Sequence, residues 1–281
     1  MLLNNGKGAK VMKYKIDHDL HIHTYLSECS QDPKQTPKYI LEYAKKNGLN
    51  TVAVTDHYWD GAVPTPSNWY RPQNFDNLAK CLPLPSSEGI KFLFGCETDM
   101  NWDFTIGIPK ERFDDFGFII VPTTHLQMSE FTIHPEDAES DEARARLWVE
   151  RFDKLLSADL PFYKTGVAHL ACPLINNGAR DREKYLSTLD LIPSGEMERL
   201  FAKAKEVGIG IELNKADMRF SDSEAERVLR MFRIAKWQGC KFYLGTDAHH
   251  PKNFENAKEI FERAINMLGL EESDKFEVCK L

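Results

Sequence analysis

The chain has 281 residues, 42% of them hydrophobic, enough to bury one sizeable core, and 36 basic against 43 acidic residues give a formal charge of −7. That balance, without a cluster of lysines and arginines, leaves no basic footprint for a nucleic-acid duplex. No stretch of about 18 apolar residues predicts a membrane helix, and six scattered cysteines without a C-x-x-C pair speak against a zinc ribbon or a disulfide framework and for a reducing, cytoplasmic setting.

Residues 1–12, MLLNNGKGAKVM, read as a flexible tail lacking the apolar centre of a signal peptide, and residues 13–281 as a single domain. The first apolar run, KIDHDLHIH (15–23), precedes TPKYILEYAKKNG (36–48), where Thr36 as N-cap, Pro37 at the first helical position and Gly48 as C-cap predict a helix. NTVAVTDH (50–57) leads into a Pro- and Trp-rich connection, YWDGAVPTPSNWYRPQNFDNLAKCLPLPSSEG (58–89). IKFLFGCE (90–97) and FGFIIVPTTH (116–125) follow, then the acidic connection LQMSEFTIHPEDAESDE (126–142) and a helical period in DEARARLWVERFDKLLSA (141–158). YKTGVAHL (163–170), VGIGIELN (207–214) and CKFYLGTDAHH (240–250) complete seven strands. Helices are expected in SGEMERLFAKAKEVG (194–208), SDSEAERVLRMFRIAKWQG (221–239) and PKNFENAKEIFERAINMLG (251–269). Strand then helix, repeated, predicts an α/β fold with a parallel sheet, closed at this length into a barrel; an open doubly wound sheet is the alternative.

The seven strand ends carry His21 and His23, Asp56 and His57, Glu97, His125, His169, Glu212 with Asn214, and Asp247 with His249. Residues two apart in a strand face the same side, so His21 pairs with His23 and Asp247 with His249. In a parallel barrel all C-terminal strand ends meet on one face, which gathers these groups into a small volume. Neutral imidazoles and carboxylates are ligands of Zn²⁺, Mn²⁺ or Fe²⁺, and so many of them predict two or three divalent ions. Burying them together without metal would be costly. His18 stands one pleat out of phase, and His134 reads as a solvated loop residue.

The succession D-x-H-x-H-T (19–24), T-D-H (55–57), G-x-E (95–97), T-x-H (123–125), A-H-L (168–170) and G-T-D-A-H (245–249) resembles the PHP superfamily, named for polymerase and histidinol phosphatase. The resemblance covers nearly the whole domain and implies a distorted, TIM-like seven-stranded β/α barrel with a di- or trinuclear metal centre that hydrolyses phosphoesters. It implies His21, His23, Glu97 and Asp247 around one metal, Glu97, His125 and His169 around a second, and His57 with His249 at a third. The pattern departs at Cys29, where the family often has His or Asp; either its thiolate or Glu28 or water would complete the third site.

Metals about 3.5–4 Å apart bring water toward neutrality in pKa and clamp phosphoryl oxygens. Glu97 would then bridge two ions, and Asp247 would orient the nucleophile or accept its proton. Arg219, in a stretch resembling the E-x-N-x-x-x-x-R of histidinol phosphatases, and Arg180 are the candidates to pair the phosphate. The expected activity is a metal-dependent phosphomonoesterase on a small phosphorylated substrate, with histidinol phosphate as the specific candidate. A 3′ exonuclease or nucleotide phosphatase is the alternative enzyme, and a non-catalytic metal-stabilised accessory domain the alternative of another class. Amidohydrolases also open with H-x-H, but call for a lysine at a strand end, and none is read here.

Overall fold

The computed structural model describes residues 13–30, 32–176 and 181–278, so the expected tail at 1–12 and Arg180 lie outside the described residues. Its parallel strands are β1 (His18–Asp19), β2 (Thr51–Val54), β3 (His57–Tyr58), β4 (Lys91–Thr98), β5 (Phe118–Pro122), β6 (Thr165–Ala168), β7 (Gly210–Asn214) and β8 (Lys241–Gly245). These make seven staves: β2 and β3 pair with β4 in one continuous register, Thr51 opposite Lys91 and His57 opposite Glu97, with only Thr55 and Asp56 interrupting the ladder. The order around the sheet is otherwise sequential. Leu20 N–H donates to Leu244 O (2.9 Å), Asp247 N–H to His21 O (2.7 Å) and His23 N–H to Ala248 O (3.1 Å), drawing the first and last staves together into a nearly closed barrel. Asp19 reinforces that seam, accepting from Thr246 through both backbone N–H (3.0 Å) and hydroxyl (2.7 Å).

Strand alternation sorts the side chains. Ala53, Phe118, Ile120, Ala168 and Tyr243 point into the barrel and form its inner core with Phe276, while Ile119, Val121, Val167, Ile211 and Leu244 point outward into the main core beneath the helices. Gly166 is required here, because a Cβ would lie 2.5 Å from the Tyr243 ring. In β4 and β7 the inward phase continues to Glu97 and Glu212, so the pattern that fills the barrel floor also delivers carboxylates to its top.

The helices are α1 (Pro37–Asn47), α2 (Phe75–Leu78), α3 (Asp141–Ser157), α4 (Arg182–Leu191), α5 (Ser194–Val207), α6 (Ala225–Gln238) and α7 (Ala257–Leu268). The caps of α1 are as read: Thr36 accepts from Tyr39 N–H (3.2 Å), and Gly48 takes the left-handed conformation at φ 67°. One reading needs correction, and two connections carry structure that was not read. The last helix starts at Ala257, after a short 3₁₀ turn and Asn256 at φ 57°, because the left-handed residue breaks the helical path between them. Residues 182–191 are helical although their apolar periodicity is weak, their Asp181 cap accepting from Glu183 and Lys184 N–H. Finally, β4 reaches β5 through a 3₁₀ turn (Lys110–Asp115), with no α-helix between the two strands.

His18 is a structural latch at the barrel floor. Its Nδ1 donates to Asp17 (3.1 Å) and its Nε2 accepts from Leu244 N–H (3.0 Å), so the ring must be neutral there. Burial holds its pKa below the usual 6.5, outweighing Asp17 and Glu272, which favour the charged form; Lys275 acts with the burial. A depressed histidine pKa contributes stability that is complete above about pH 6.5 and is lost as pH falls toward the folded value. In metal-free protein, the gap in melting temperature between wild type and His18→Gln should therefore narrow from pH 7.5 to pH 5. A gap that widens on acidification would remove the latch.

Candidate metal centre

At the C-terminal mouth of the barrel the expected donors converge. His21 Nε2 and His23 Nε2 are 3.1 Å apart. Glu97 Oε2 lies 3.5 and 3.3 Å from them, and Asp247 Oδ1 3.4 and 3.2 Å. Two ligands each about 2.1 Å from one ion at a tetrahedral angle stand about 3.4 Å apart, so each of these five contacts has the spacing of two ligands of one ion, although Asp247 is outside the close group that His21, His23 and Glu97 form. Glu97 turns its other oxygen to His169 Nε2 (3.1 Å), and Glu97, His125 and His169 form a second group with donor atoms within 4.8 Å of one another. A third group joins His57 and His249 with His23, whose ring stacks on His249 at 4.0 Å.

The hydrogen bonds around the imidazoles test whether this is a metal site. His21 Nδ1 donates to Glu212 (2.8 Å), His23 Nδ1 to Ser27 Oγ (2.9 Å), His125 Nδ1 to Asp99 (2.8 Å), His169 Nδ1 to Thr124 Oγ1 (2.9 Å) and His249 Nδ1 to the Asp247 carbonyl (2.8 Å). Five rings thus spend Nδ1 on the protein and keep Nε2 as a lone pair, the arrangement by which metal-binding histidines are oriented. His57 differs: its Nδ1 is buried without a hydrogen-bond partner and stands 3.0 Å from Glu97 Oε2, which suits ligation through that atom. The donor set fits divalent metal.

Backbone strain marks the same place. His169 and Asp247 adopt positive φ, 33° and 51°, costing on the order of 1–3 kcal/mol each. Gly245 is the enabling neighbour: a Cβ there would lie 1.9 Å from Glu212 Oε1, ejecting the carboxylate that orients His21. Without metal, burial opposes charge throughout the cluster, yet His57 and His21 hold Glu97 well below the usual carboxylate range. Burial likewise opposes protonation of His23, but Asp247 and Glu97 raise it to about 9.

Behind His125 lies a network that sequence reasoning missed. Asp99 sits two residues after Glu97 at the end of β4, and that spacing on one strand was its available signal. Its carboxylate also receives Tyr70 OH (3.1 Å) and the guanidinium of Arg151 (3.2 Å), which is 0% exposed and donates as well to carbonyls of Met100, Thr123 and Thr132. Ser27 plays the matching part for His23, with its hydroxyl donating to Asp56 (2.6 Å).

Arg219 is exposed and lines a small cavity of about 230 Å³ together with Lys215, Asp247 and His249. Lys215 corrects the reading of the strand ends: it directly follows β7, but its ammonium donates to the Asn253 carbonyl. Cys29 lines the wider cavity beside the donors, yet its sulfur belongs to none of the three groups found among the described residues. Burial, then the charges of Asp247 and Glu97, keep its thiol above its ordinary pKa. His134 is removed from the site, stacked on Trp102 at 4.5 Å.

The sequence matches the PHP domain over residues 19–271. The chain belongs to the PHP domain family. A search of curated protein sequences found no relative. Among solved structures, this PHP domain is similar to histidinol phosphate phosphatase from Lactococcus lactis, determined with zinc, L-histidinol and phosphate: TM-score 0.52 and 15% identity, over 93% of this chain and 98% of that one. An archaeal ribonuclease P chain matches with TM-score 0.33 and 15% identity over 89% and 90% of the two chains. The first likeness supports the barrel fold of the PHP domain. Its two long connections pack on each other, Trp59, Val63 and Tyr70 of one against Phe131 of the other, and Tyr70 and Phe131 line a cavity of about 940 Å³ that opens onto the donors. Among the described residues no helix is long and apolar enough to cross a membrane.

Proposed function

We propose that this PHP domain is a metal-dependent phosphomonoesterase acting on a small phosphorylated substrate in the cytoplasm, with histidinol phosphate as the specific candidate. The observation that carries the reading is the set of five imidazoles whose Nδ1 atoms are spent on the protein, leaving Nε2 free as a ligand atom; those of His21 and His23 meet Glu97 and Asp247, and that of His169 meets Glu97. His21, His23, Glu97 and Asp247 would hold one ion, Glu97, His125 and His169 a second, and His57 with His249 a third; zinc, manganese and iron all suit such donors. When bound, the ions supply Lewis acidity and neutralise charge on the phosphoryl oxygens.

The chain's own groups do the rest. Asp247, which lines both cavities, would take a proton from the attacking water as the water oxygen bonds to phosphorus. The ester P–O bond breaks, and the alcohol leaves with a proton from solvent. Arg219 would pair phosphoryl oxygens from the smaller cavity, whereas Arg180 keeps that role only as a candidate from the sequence. The structural neighbour solved with L-histidinol and phosphate supports the choice of leading substrate.

A panel of histidinol phosphate, sugar phosphates, nucleotides and single-stranded DNA tests the proposal. A small monoester should exceed DNA in kcat/KM by at least about a hundredfold, roughly 2.7 kcal/mol of discrimination. Equal or faster degradation of DNA would replace the substrate class and leave the metal centre standing. Arg219→Ala should lower kcat/KM on the preferred monoester about tenfold or more, as expected for a charged hydrogen bond. A change under about threefold would release Arg219 from the role.

A further inference from the structure

The cavity of about 230 Å³ beside the donors is lined by two cations, Lys215 and Arg219. The carboxylate in its described lining, Asp247, is already turned to His21 and His23 at 3.4 and 3.2 Å. Among the described residues neither cation has a carboxylate within ion-pair distance. Burial, then the charge of Arg219, lower the Lys215 pKa against the pull of Asp19 and Glu255, so the two cations stand near enough to repel each other. An anion between them would relieve that repulsion.

The fold fixes Lys215 in place. It directly follows β7, its backbone N–H donates to Gly245 O (2.9 Å), and its ammonium donates to the Asn253 carbonyl. An ammonium has further N–H donors to offer a ligand. Asn253 in turn accepts the His249 backbone N–H through Oδ1 (3.1 Å), so Lys215 is tied to the turn that carries a metal donor.

The two cavities meet at Asp247 and His249 and differ in chemistry. Trp69, Tyr70 and Phe131 line the large one, without a lysine or arginine among its described residues, and suit a carbon group. In the small one the described lining is polar or charged apart from Ala216, and a carbon group entering it would take two cations out of water without compensation. A phosphate monoester carries a charge of about −1.5 to −2 near pH 7, whereas a diester keeps a single charge and has a second carbon arm to place.

We infer that the small cavity is a site for the bare oxygens of a phosphoryl dianion, and that Lys215, acting with Arg219, selects phosphate monoesters over diesters. The inference rests on the phosphoesterase reading and gives its selectivity a residue. Phenyl phosphate and methyl phenyl phosphate share a leaving group and differ in this one respect, so metal-loaded full-length protein is assayed on both. In Lys215→Met the ratio of kcat/KM on the monoester to that on the diester should fall about tenfold or more, the size of one lost hydrogen bond to a charged group. Lys215→Arg keeps the charge, and its ratio should stay within about threefold of wild type.

Calorimetric titration reads the same site without turnover: inorganic phosphate should bind Lys215→Met about tenfold more weakly, and dimethyl phosphate should bind both proteins alike. This titration decides where the diester is turned over too slowly for a ratio, and Lys215→Gln carries the test should the methionine variant fail to fold. Equal losses on the two esters would reduce Lys215 to a prop for Asn253 and His249 and overturn the inference, as would an unchanged ratio with unchanged phosphate binding. A wild type that prefers the diester overturns it too, although phosphoesterase activity would then stand. Failure of metal-loaded wild type on both esters strikes the phosphoesterase reading, and the titration still judges the anion site.

Discussion

Glu97→Gln is expected to lower kcat on a phosphate monoester by at least about a thousandfold, some 4 kcal/mol of transition-state stabilisation. Among the described residues Glu97 is the carboxylate that belongs to two donor groups, with Oε2 toward His21, His23 and His57 and Oε1 toward His169. The amide keeps the volume and one acceptor but removes the charge that would hold two ions together. The metal-free variant should fold, because β4 is anchored by ladders to β2 and β5 that do not involve the side chain. Metal analysis, circular dichroism and turnover on the preferred monoester check it together. Near wild-type turnover with full metal content would show that Glu97 is not the bridge.

Stripping the metals should abolish activity and lower the melting temperature by at least roughly 15 °C. The candidate ligands come from β3, β4 and the chain just beyond β1, β5, β6 and β8, so a bound ion would tie together segments that the unfolded chain scatters. Saturation at about a thousand times the dissociation constant stabilises the folded state by about 4 kcal/mol per site. For a domain of this size each kilocalorie is worth about 2–4 °C. Scanning calorimetry of protein purified without chelator, then after dialysis against chelator and again after zinc or manganese is restored, measures the effect. Two to three equivalents of metal should accompany the higher transition. Less than one equivalent, with the same melting temperature in all three states and no uptake on reconstitution, would dismantle the metal centre.

Much of the site was legible in the sequence because its logic is local. His-x-His at 21 and 23 and Asp-x-His at 247 and 249 need only the period of two to share a face. The end of each strand could be read from where β-branched and aromatic residues give way to polar ones. The groups that orient the ligands were less visible. Asp99 meets His125 from 26 residues away, and Glu212 meets His21 from 191 residues away. Arg151 looks like one more charge on an amphipathic helix, yet it is fully buried in α3 against loop carbonyls. Nothing in the period of α3 separates a solvated arginine from one buried against carbonyls of neighbouring loops.

What the amino-acid sequence determined by itself was the alternation of strand and helix, the number of staves, and the inward phase that carries Glu97 and Glu212 to the barrel mouth. These follow from side-chain periodicity, which each segment expresses alone. Only the tertiary structure decided how the barrel closes, through Asp19 and Thr246 and the backbone bonds between His21, His23 and the segment after β8. It alone decided that Thr55 and Asp56 interrupt a stave, that the two long connections pack on each other over the donors, and that Lys215 turns to Asn253. Register, closure and loop packing are pairings between distant segments, and their free energy belongs to both partners at once. No periodicity within either partner encodes them.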